Sequence, residues 1–371
     1  MSEPDCDYHI NHLKHQGRSY PLEAFFLDNI FAFHQSLSGY LPTPLIKLGL
    51  KPAGLETNTV YVKDESKRFS TGAFKSLGAS WAIHSFLRKN KGEYTFCSAT
   101  DGNHGRAVAW SARISGHKAK IFMPASTVHA RIKFIENEGA EVIIVGGDYD
   151  KAVEMAKKDA EVNGHILIQD TSWEGYDDYP QLISAGYSSQ LKELETQMNS
   201  GQRNKVNAII LQSGVGSWAA ATMLYSVRKS LFPNAKFIIL EPFESDCLLE
   251  SAIHGKICST RKSQNTIMAG LNCGTPSLTA WEIISDLADA FVSVDDSWAR
   301  KAVRSLYEAG FETCESGAAG LAGLMAILNS KKLNPFCKEL GLNKNSTFLV
   351  FNTEGITDPA MLSEIISSDW K

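Results

Sequence analysis

The chain lacks any paired-cysteine motif. Seven cysteines, Cys6, Cys97, Cys247, Cys258, Cys273, Cys314 and Cys337, are scattered through 371 residues with no CxxC. That odd, dispersed usage argues against a secreted disulfide framework and for a reducing cytoplasm. No charge of one sign dominates. Lys and Arg number 37 against 41 Asp and Glu, a net of −4, so no general affinity for nucleic acid is implied. Long apolar runs are missing too. The longest uncharged stretch, 206–227, contains Asn207, Gln212, Ser213, Gly214, Gly216, Ser217, Thr222 and Ser226. It reads as strand, loop and buried helix, not as a membrane span. The polar start MSEPDCDYHINHLKH has no signal-peptide pattern. There is no internal repeat and no low-complexity segment. What is present is ordinary: 43% hydrophobic and 21% charged residues, which excludes disorder, collagen and coiled coil. The length gives roughly two domains at about 150 residues each. A chain of this size buries about 75% of its surface and needs no metal or disulfide staple.

Short β-branched runs alternate with longer helical stretches. Strands are expected at 59–63, 94–97, 119–123, 141–145, 165–169, 208–212, 236–240, 290–294 and 347–351. Helices are expected at 74–89, 105–115, 127–138, 149–162, 217–230, 244–253, 296–309 and 317–329. Strand–helix–strand repetition with nearly continuous apolar strands predicts an α/β fold with parallel sheets covered on both faces. The first forty residues read as a helical arm ending at Gly39, before the Leu41–Pro44 turn.

In such sheets ligands sit beyond the carboxyl ends of strands. Six predicted strand ends carry Gly, Ser, Thr, Asn, Asp or Glu clusters: 64–79, 98–106, 170–180, 213–218, 241–246 and 352–358. One cleft lined by these loops is the simplest arrangement. Lys75 opens a mixed apolar helix, where partial desolvation would lower its pKa and free the amine to form a Schiff base. The bland alternative is a snorkelling surface lysine. Ser213-Gly214-Val215-Gly216-Ser217 ends a strand and opens a helix, a place where N–H groups can hold a phosphate. Asn103 lies in the Asp101–Gly105 turn, and Thr353 follows the last strand.

The string Thr71–Ala79 around Lys75 resembles the cofactor-lysine signature of fold type II pyridoxal-phosphate enzymes, which include threonine and serine dehydratases, serine racemase and cysteine synthase. Val62–Glu65 and Pro42–Leu45 match the same pattern. Within that group the blocks Lys63–Phe69, Ala99–Arg106, Gln169–Tyr176, Ile267–Gly274, Glu315–Leu321 and Thr353–Asp358 are most similar to the diaminopropionate ammonia-lyase family. The resemblance runs from about residue 40 to 358. It implies two parallel-sheet αβα domains: a discontinuous large one, 1–75 plus 164–371, and a mobile inserted one, 76–163.

The resemblance also implies a cofactor and a reaction. Pyridoxal phosphate needs an amine, a phosphate cradle, a ring-nitrogen partner and a donor to its ring hydroxyl. Lys75 with Phe74 would supply the first. Ser213, Gly214, Val215, Gly216 and Ser217 would supply the cradle, Thr353 the ring-nitrogen partner and Asn103 the hydroxyl donor. Related dehydratases carry Ser where this chain has Asp101. Asp101 and Asp170 are expected as bases for opposite enantiomers of 2,3-diaminopropionate, each needing a raised pKa. The implied reaction is α,β-elimination to pyruvate and two ammonia. A serine or threonine dehydratase, a β-replacement synthase and a non-catalytic pyridoxal-phosphate binder are the alternatives. A homodimer is implied by the family alone.

Other candidates are weaker. His9, His12 and His15 near Cys6 have metal-like spacing, but a frayed polar segment explains them, and no metal is expected. Trp173, Glu174, Tyr176, Asp177 and Asp178 read as a solvated loop or a lid. His104 reads equally as a proton-transfer aid or a structural helix-start residue. Cys314 reads as a small buried residue beside Glu315. Ser316 and Gly317–Gly320 read as a tightly packed helix start.

Overall fold

The computed structural model describes residues 4–14, 29–49, 59–100, 102–147 and 149–367. Eleven strands are found among them: β1 (Cys6–Ile10), β2 (Leu45–Leu48), β3 (Thr59–Asp64), β4 (Thr95–Ala99), β5 (Lys118–Pro124), β6 (Glu141–Val145), β7 (Ile166–Leu167), β8 (Val206–Gln212), β9 (Lys236–Pro242), β10 (Ala290–Val294) and β11 (Thr347–Asn352). They form two sheets in two compact units. The first unit comprises Met1–Pro21, Pro42–Ser66 and Gln190–Lys371; the second comprises Leu22–Leu41 and Lys67–Ser189.

The first unit holds a seven-stranded sheet in the order β1-β10-β9-β8-β11-β3-β2. Its five central strands are parallel, and both edges are antiparallel. Val60, Val62, Ile210, Ile238, Leu240, Val292, Phe348 and Val350 are buried, as strands covered on both faces require. The helix Glu315–Asn329 lies on this sheet, with the helix Asp296–Glu308 packed against it. Three glycines let it approach. A Cβ on Gly317 would meet Glu354 O at 2.5 Å, on Gly320 Gln212 Oε1 at 2.7 Å, and on Gly323 Leu240 Cδ1 at 2.5 Å. Spaced three apart, they form one face of the helix. The expected tight packing of the Gly317–Gly320 segment is therefore contact with the sheet.

The second unit holds a parallel sheet in the order β6-β5-β4-β7. Steps from β4 to β5 to β6 run one way and the step to β7 runs back. With right-handed crossovers, the Asn103–Ile114 and Tyr149–Asn163 helices fall on opposite faces. Cys97, Ala99, Phe122 and Val145 pack with Ala152 and Ala156 of the latter helix.

Three expectations need correction. The described part of the first forty residues is not helical throughout: Cys6–Ile10 pairs antiparallel with β10, Cys6 opposite Val294 and Ile10 opposite Ala290. His9 therefore lies in an edge strand, not a frayed segment; His15 lies outside the described residues. Helix is found at Asn29–Ser36. The strand expected at 165–169 shortens to Ile166–Leu167, because the Gln169 side chain, not its backbone, bonds β4. The boundaries 76–163 also shift. The Lys75–Lys89 helix packs on the Asp178–Gly186 helix, and His34 bonds both Ser189 and Leu77 O, so the second unit takes in both segments. No helix among the described residues is long and apolar enough to cross a membrane.

Candidate active site

Each sheet has one point where strand order reverses, the place where open α/β sheets bind ligands. In the second unit it falls between β4 and β7, whose following loops carry Asn103 and Asp170. In the first unit it falls between β8 and β11, which are followed by Ser213–Ser217 and Thr353. Asn103, Asp170, Ser213–Ser217 and Thr353 thus stand at the topological switch points, whereas Lys75 follows β3.

The loop before Lys75 is tightly tied. Thr71 Oγ1 and Ser76 Oγ are 2.5 Å apart, and Gly72 N donates to Arg68 O at 2.9 Å. Phe69 sits at φ 50°, a left-handed backbone that a bulky residue tolerates only when its surroundings enforce it. Its ring packs 4.7 Å from Trp110. Arg106 clamps the same loop, donating to Thr71 O at 2.9 Å and Ser70 O at 3.0 Å. Glu138 holds that guanidinium and Arg113 together. No role for Arg106 was read from the sequence, although it stands in the Ala99–Arg106 block.

Lys75 opens its helix and donates to Asp170 Oδ2 at 2.5 Å. Phe74 precedes it, buried, with its ring 5.0 Å from the Tyr187 ring. Asp170 and His104 are buried, and His104 Nδ1 lies 3.7 Å from Asp170 Oδ2. Burial lowers the His104 pKa, so the ring is neutral. Burial raises the Asp170 carboxyl, while a charged His104 or the Lys75 ammonium lowers it. With His104 neutral, the Lys75 ammonium is the charge that still lowers it. The expected raised pKa is therefore absent while Lys75 is an ammonium. Asp101 lies outside the described residues. Asn103 begins the Asn103–Ile114 helix, and its cap position is Gly102.

The strand end that carries Asp170 is braced from two sides. Gln169 Oε1 accepts from Ser98 Oγ and Ala99 N, and its Nε2 donates to Ala99 O and Tyr149 Oη. Tyr176 Oη accepts from Gln169 N and donates to Leu167 O. Trp173 stacks on Tyr176 at 4.3 Å, with Lys157 Nζ 3.4 Å from the Trp173 ring centre. Trp173 and Tyr176 of the acidic-aromatic run thus brace this strand end, while Glu174 and Asp178 are exposed.

In the first unit, Ser213 N donates to Leu240 O, so this amide continues the sheet and is not open to a ligand. The amides of Gly214, Val215 and Gly216 find no acceptor among the described residues. Gly216 has φ +96°, and a Cβ there would strike Ile284 Cδ1 at 2.6 Å. A Cβ on Gly214 would strike Cys273 Sγ at 2.7 Å. The helix Ser217–Arg228 follows directly. Open amides at a helix start form an anion cradle. Thr353 is buried, and its Oγ1 accepts from Gln212 Nε2 at 3.3 Å. Gln212 also donates to Gly317 O and Phe351 O. A glutamine ending an otherwise apolar buried strand was the sequence signal for this clamp. Cys314 caps the Glu315–Asn329 helix, accepting from Gly317 N at 3.5 Å, and Ser316 Oγ accepts from Gly270 N.

Comparison with known proteins agrees with this geometry. A family profile described as "Pyridoxal-phosphate dependent enzyme" matches residues 37–335. The diaminopropionate ammonia-lyase of Escherichia coli strain K12 is 37% identical over 356 residues, covering 90% of this chain and 89% of its own. That of Salmonella typhimurium strain LT2 is 34% identical, covering 91% of each. The crystal structure of the Escherichia coli enzyme with an aminoacrylate-PLP azomethine reaction intermediate superposes with a TM-score of 0.89 at 35% identity, covering 98% of this chain and 97% of that one. Its complex with D-serine has the same TM-score at 34% identity and the same coverage. This chain belongs to the diaminopropionate ammonia-lyase family of pyridoxal-phosphate-dependent enzymes.

Proposed function

We propose that this chain eliminates ammonia from 2,3-diaminopropionate to give pyruvate and two ammonia. The observation that carries the reading is the contact between the Lys75 amine and the Asp170 carboxylate. It places a nucleophilic amine and a base within one hydrogen bond of each other.

The residues fit pyridoxal phosphate. The Gly214–Gly216 turn offers open amides at the start of a helix, which suits a phosphate. Lys75 is the attachment point for the aldehyde, with Phe74 beside it. Ser217 completes the cradle, and Asn103 stands as donor to the ring hydroxyl. Gln212 occupies the Thr353 oxygen, leaving that hydroxyl hydrogen for an unprotonated ring nitrogen. When bound, the cofactor supplies the electron sink that acidifies a substrate Cα proton.

The chain's own groups do the rest. Where the Lys75 amine carries no proton charge, one group that lowers Asp170 is removed, and burial then raises the carboxyl toward useful basicity. Asp170 takes the Cα proton of one enantiomer and Asp101 that of the other. The β-amino group leaves as ammonia. Seven free cysteines suit a reducing cytoplasm, and two copies associate as a homodimer, which sedimentation can check.

Purified holoenzyme should release pyruvate from D- or L-2,3-diaminopropionate faster than from serine or threonine. Serine is the substrate to compare first, because a relative binds D-serine. Asp101→Asn and Asp170→Asn should impair the two enantiomers unequally. Equal losses would reject the two-base assignment.

A further inference from the structure

His104 makes one hydrogen bond and leaves one nitrogen facing Asp170. Its Nε2 lies 2.8 Å from Ile168 O. A carbonyl oxygen only accepts, so Nε2 carries the hydrogen. In a neutral imidazole the other nitrogen then holds a lone pair. That nitrogen, Nδ1, is buried and has no hydrogen-bond partner among the described residues. It sits 3.7 Å from Asp170 Oδ2. A carboxylate is also only an acceptor, so two lone pairs face each other with no hydrogen between them. Such a buried arrangement is unfavourable unless one side gains a proton.

We propose that His104 is a positioning residue acting through Asp170, its Nδ1 poised to accept a hydrogen bond from Asp170 once that carboxylate has taken the substrate Cα proton. This rests on Asp170 serving as a base. The Cα–H bond breaks, its electron pair stays on the substrate, and the proton forms an O–H bond on Asp170. That O–H then donates to Nδ1, and nothing on His104 is broken or transferred. A group that bonds only the neutral acid makes the carboxylate a stronger base. Lys75, 2.5 Å away, pulls the other way while it is an ammonium.

Among the described residues, the other titratable groups around Asp170 are Tyr176 and Tyr187. The Tyr176 hydroxyl is committed to Leu167 O and Gln169 N. The Tyr187 hydroxyl is buried without a partner among the described residues, and burial pushes it up, so it stays neutral. Neither fills the gap between His104 and Asp170.

Two substitutions separate the proposal from a purely structural role. His104→Gln can keep the bond to Ile168 O but has no acceptor at the Nδ1 position. His104→Asn keeps a polar atom at Nδ1 and gives up Ile168. The readout is the pH profile of kcat/KM, with kcat and KM, for each enantiomer of diaminopropionate on holoenzyme. His104→Gln should lower kcat about tenfold or more, with KM little changed, only for the enantiomer that depends on Asp170. Its acidic limb should move to lower pH, and His104→Asn should restore much of the loss. Equal loss on both enantiomers, or a worse enzyme for His104→Asn, would overturn the proposal. An Asp170→Asn enzyme active on both enantiomers would instead overturn the base assignment beneath it. An impaired Asp170→Asn beside an unaffected His104→Gln would overturn the His104 role alone. Nitrogen NMR of the histidine-labelled native enzyme tests it without substitution: His104 should carry hydrogen on Nε2 alone, and a protonated Nδ1 in the resting enzyme would contradict the proposal.

Discussion

Lys75 Nζ and Asp170 Oδ2 lie 2.5 Å apart, although 95 residues separate them in the chain. Lys75 stands at a helix start, and Asp170 stands just beyond β7. Their contact makes each the electrostatic environment of the other.

That contact has a consequence for acid stability of the cofactor-free protein. The Lys75 ammonium holds the Asp170 carboxyl below its ordinary 3.8. A lowered carboxylate pKa adds stability above the ordinary value, and this is lost as pH falls from near 4 through the lowered value. Urea unfolding of the cofactor-free enzyme should show native protein losing more stability across that window than Asp170→Asn.

Lys75→Ala removes the amine proposed to attach the aldehyde. The purified protein should lose the visible absorbance of covalently held cofactor and release pyridoxal phosphate on dialysis. Retained absorbance would reject Lys75 as that residue.

The anion cradle depends on two glycines. Gly216→Ala puts a side chain at φ +96° and drives its Cβ into Ile284. Strain of about 1–3 kcal/mol is expected there. Pyridoxal-phosphate affinity should fall about tenfold or more, read by fluorescence titration, while Gly341→Ala, with open space around it, leaves affinity unchanged.

A buried pair in the first unit carries stability rather than chemistry. Lys63 Nζ meets Glu193 Oε2 at 2.5 Å, and both side chains are fully buried. Lys63 also donates to Thr43 O, and Thr43 Oγ1 donates to Glu65. The Pro42–Leu45 and Val62–Glu65 segments are joined by this network. Glu193→Ala should cost about 3–5 kcal/mol in chemical denaturation, because it strands a buried ammonium.

The parallel strands were legible because both faces are covered, which makes them continuous apolar runs. The edge strands were not. Cys6–Ile10 and Leu45–Leu48 each bury only one residue fully, Cys6 and Leu48, so neither reads as a continuous apolar run. Lys75, the Ser213–Ser217 turn and Thr353 were found because each follows a strand. The Gln212 clamp on Thr353, the Arg106 clamp on the Ser70–Thr71 turn and the Tyr176 brace depend on contacts distant in sequence or on side-chain direction. Ser213 was chosen as a cradle donor, yet its amide belongs to the sheet, a distinction only the hydrogen-bond pattern reveals.

The ratio of ammonia to pyruvate released from 2,3-diaminopropionate by purified holoenzyme tests the central claim most directly. Elimination of the β-amino group followed by hydrolysis gives two ammonia per pyruvate. No pyruvate from either enantiomer, beside one ammonia per keto acid from serine or threonine, would contradict the account.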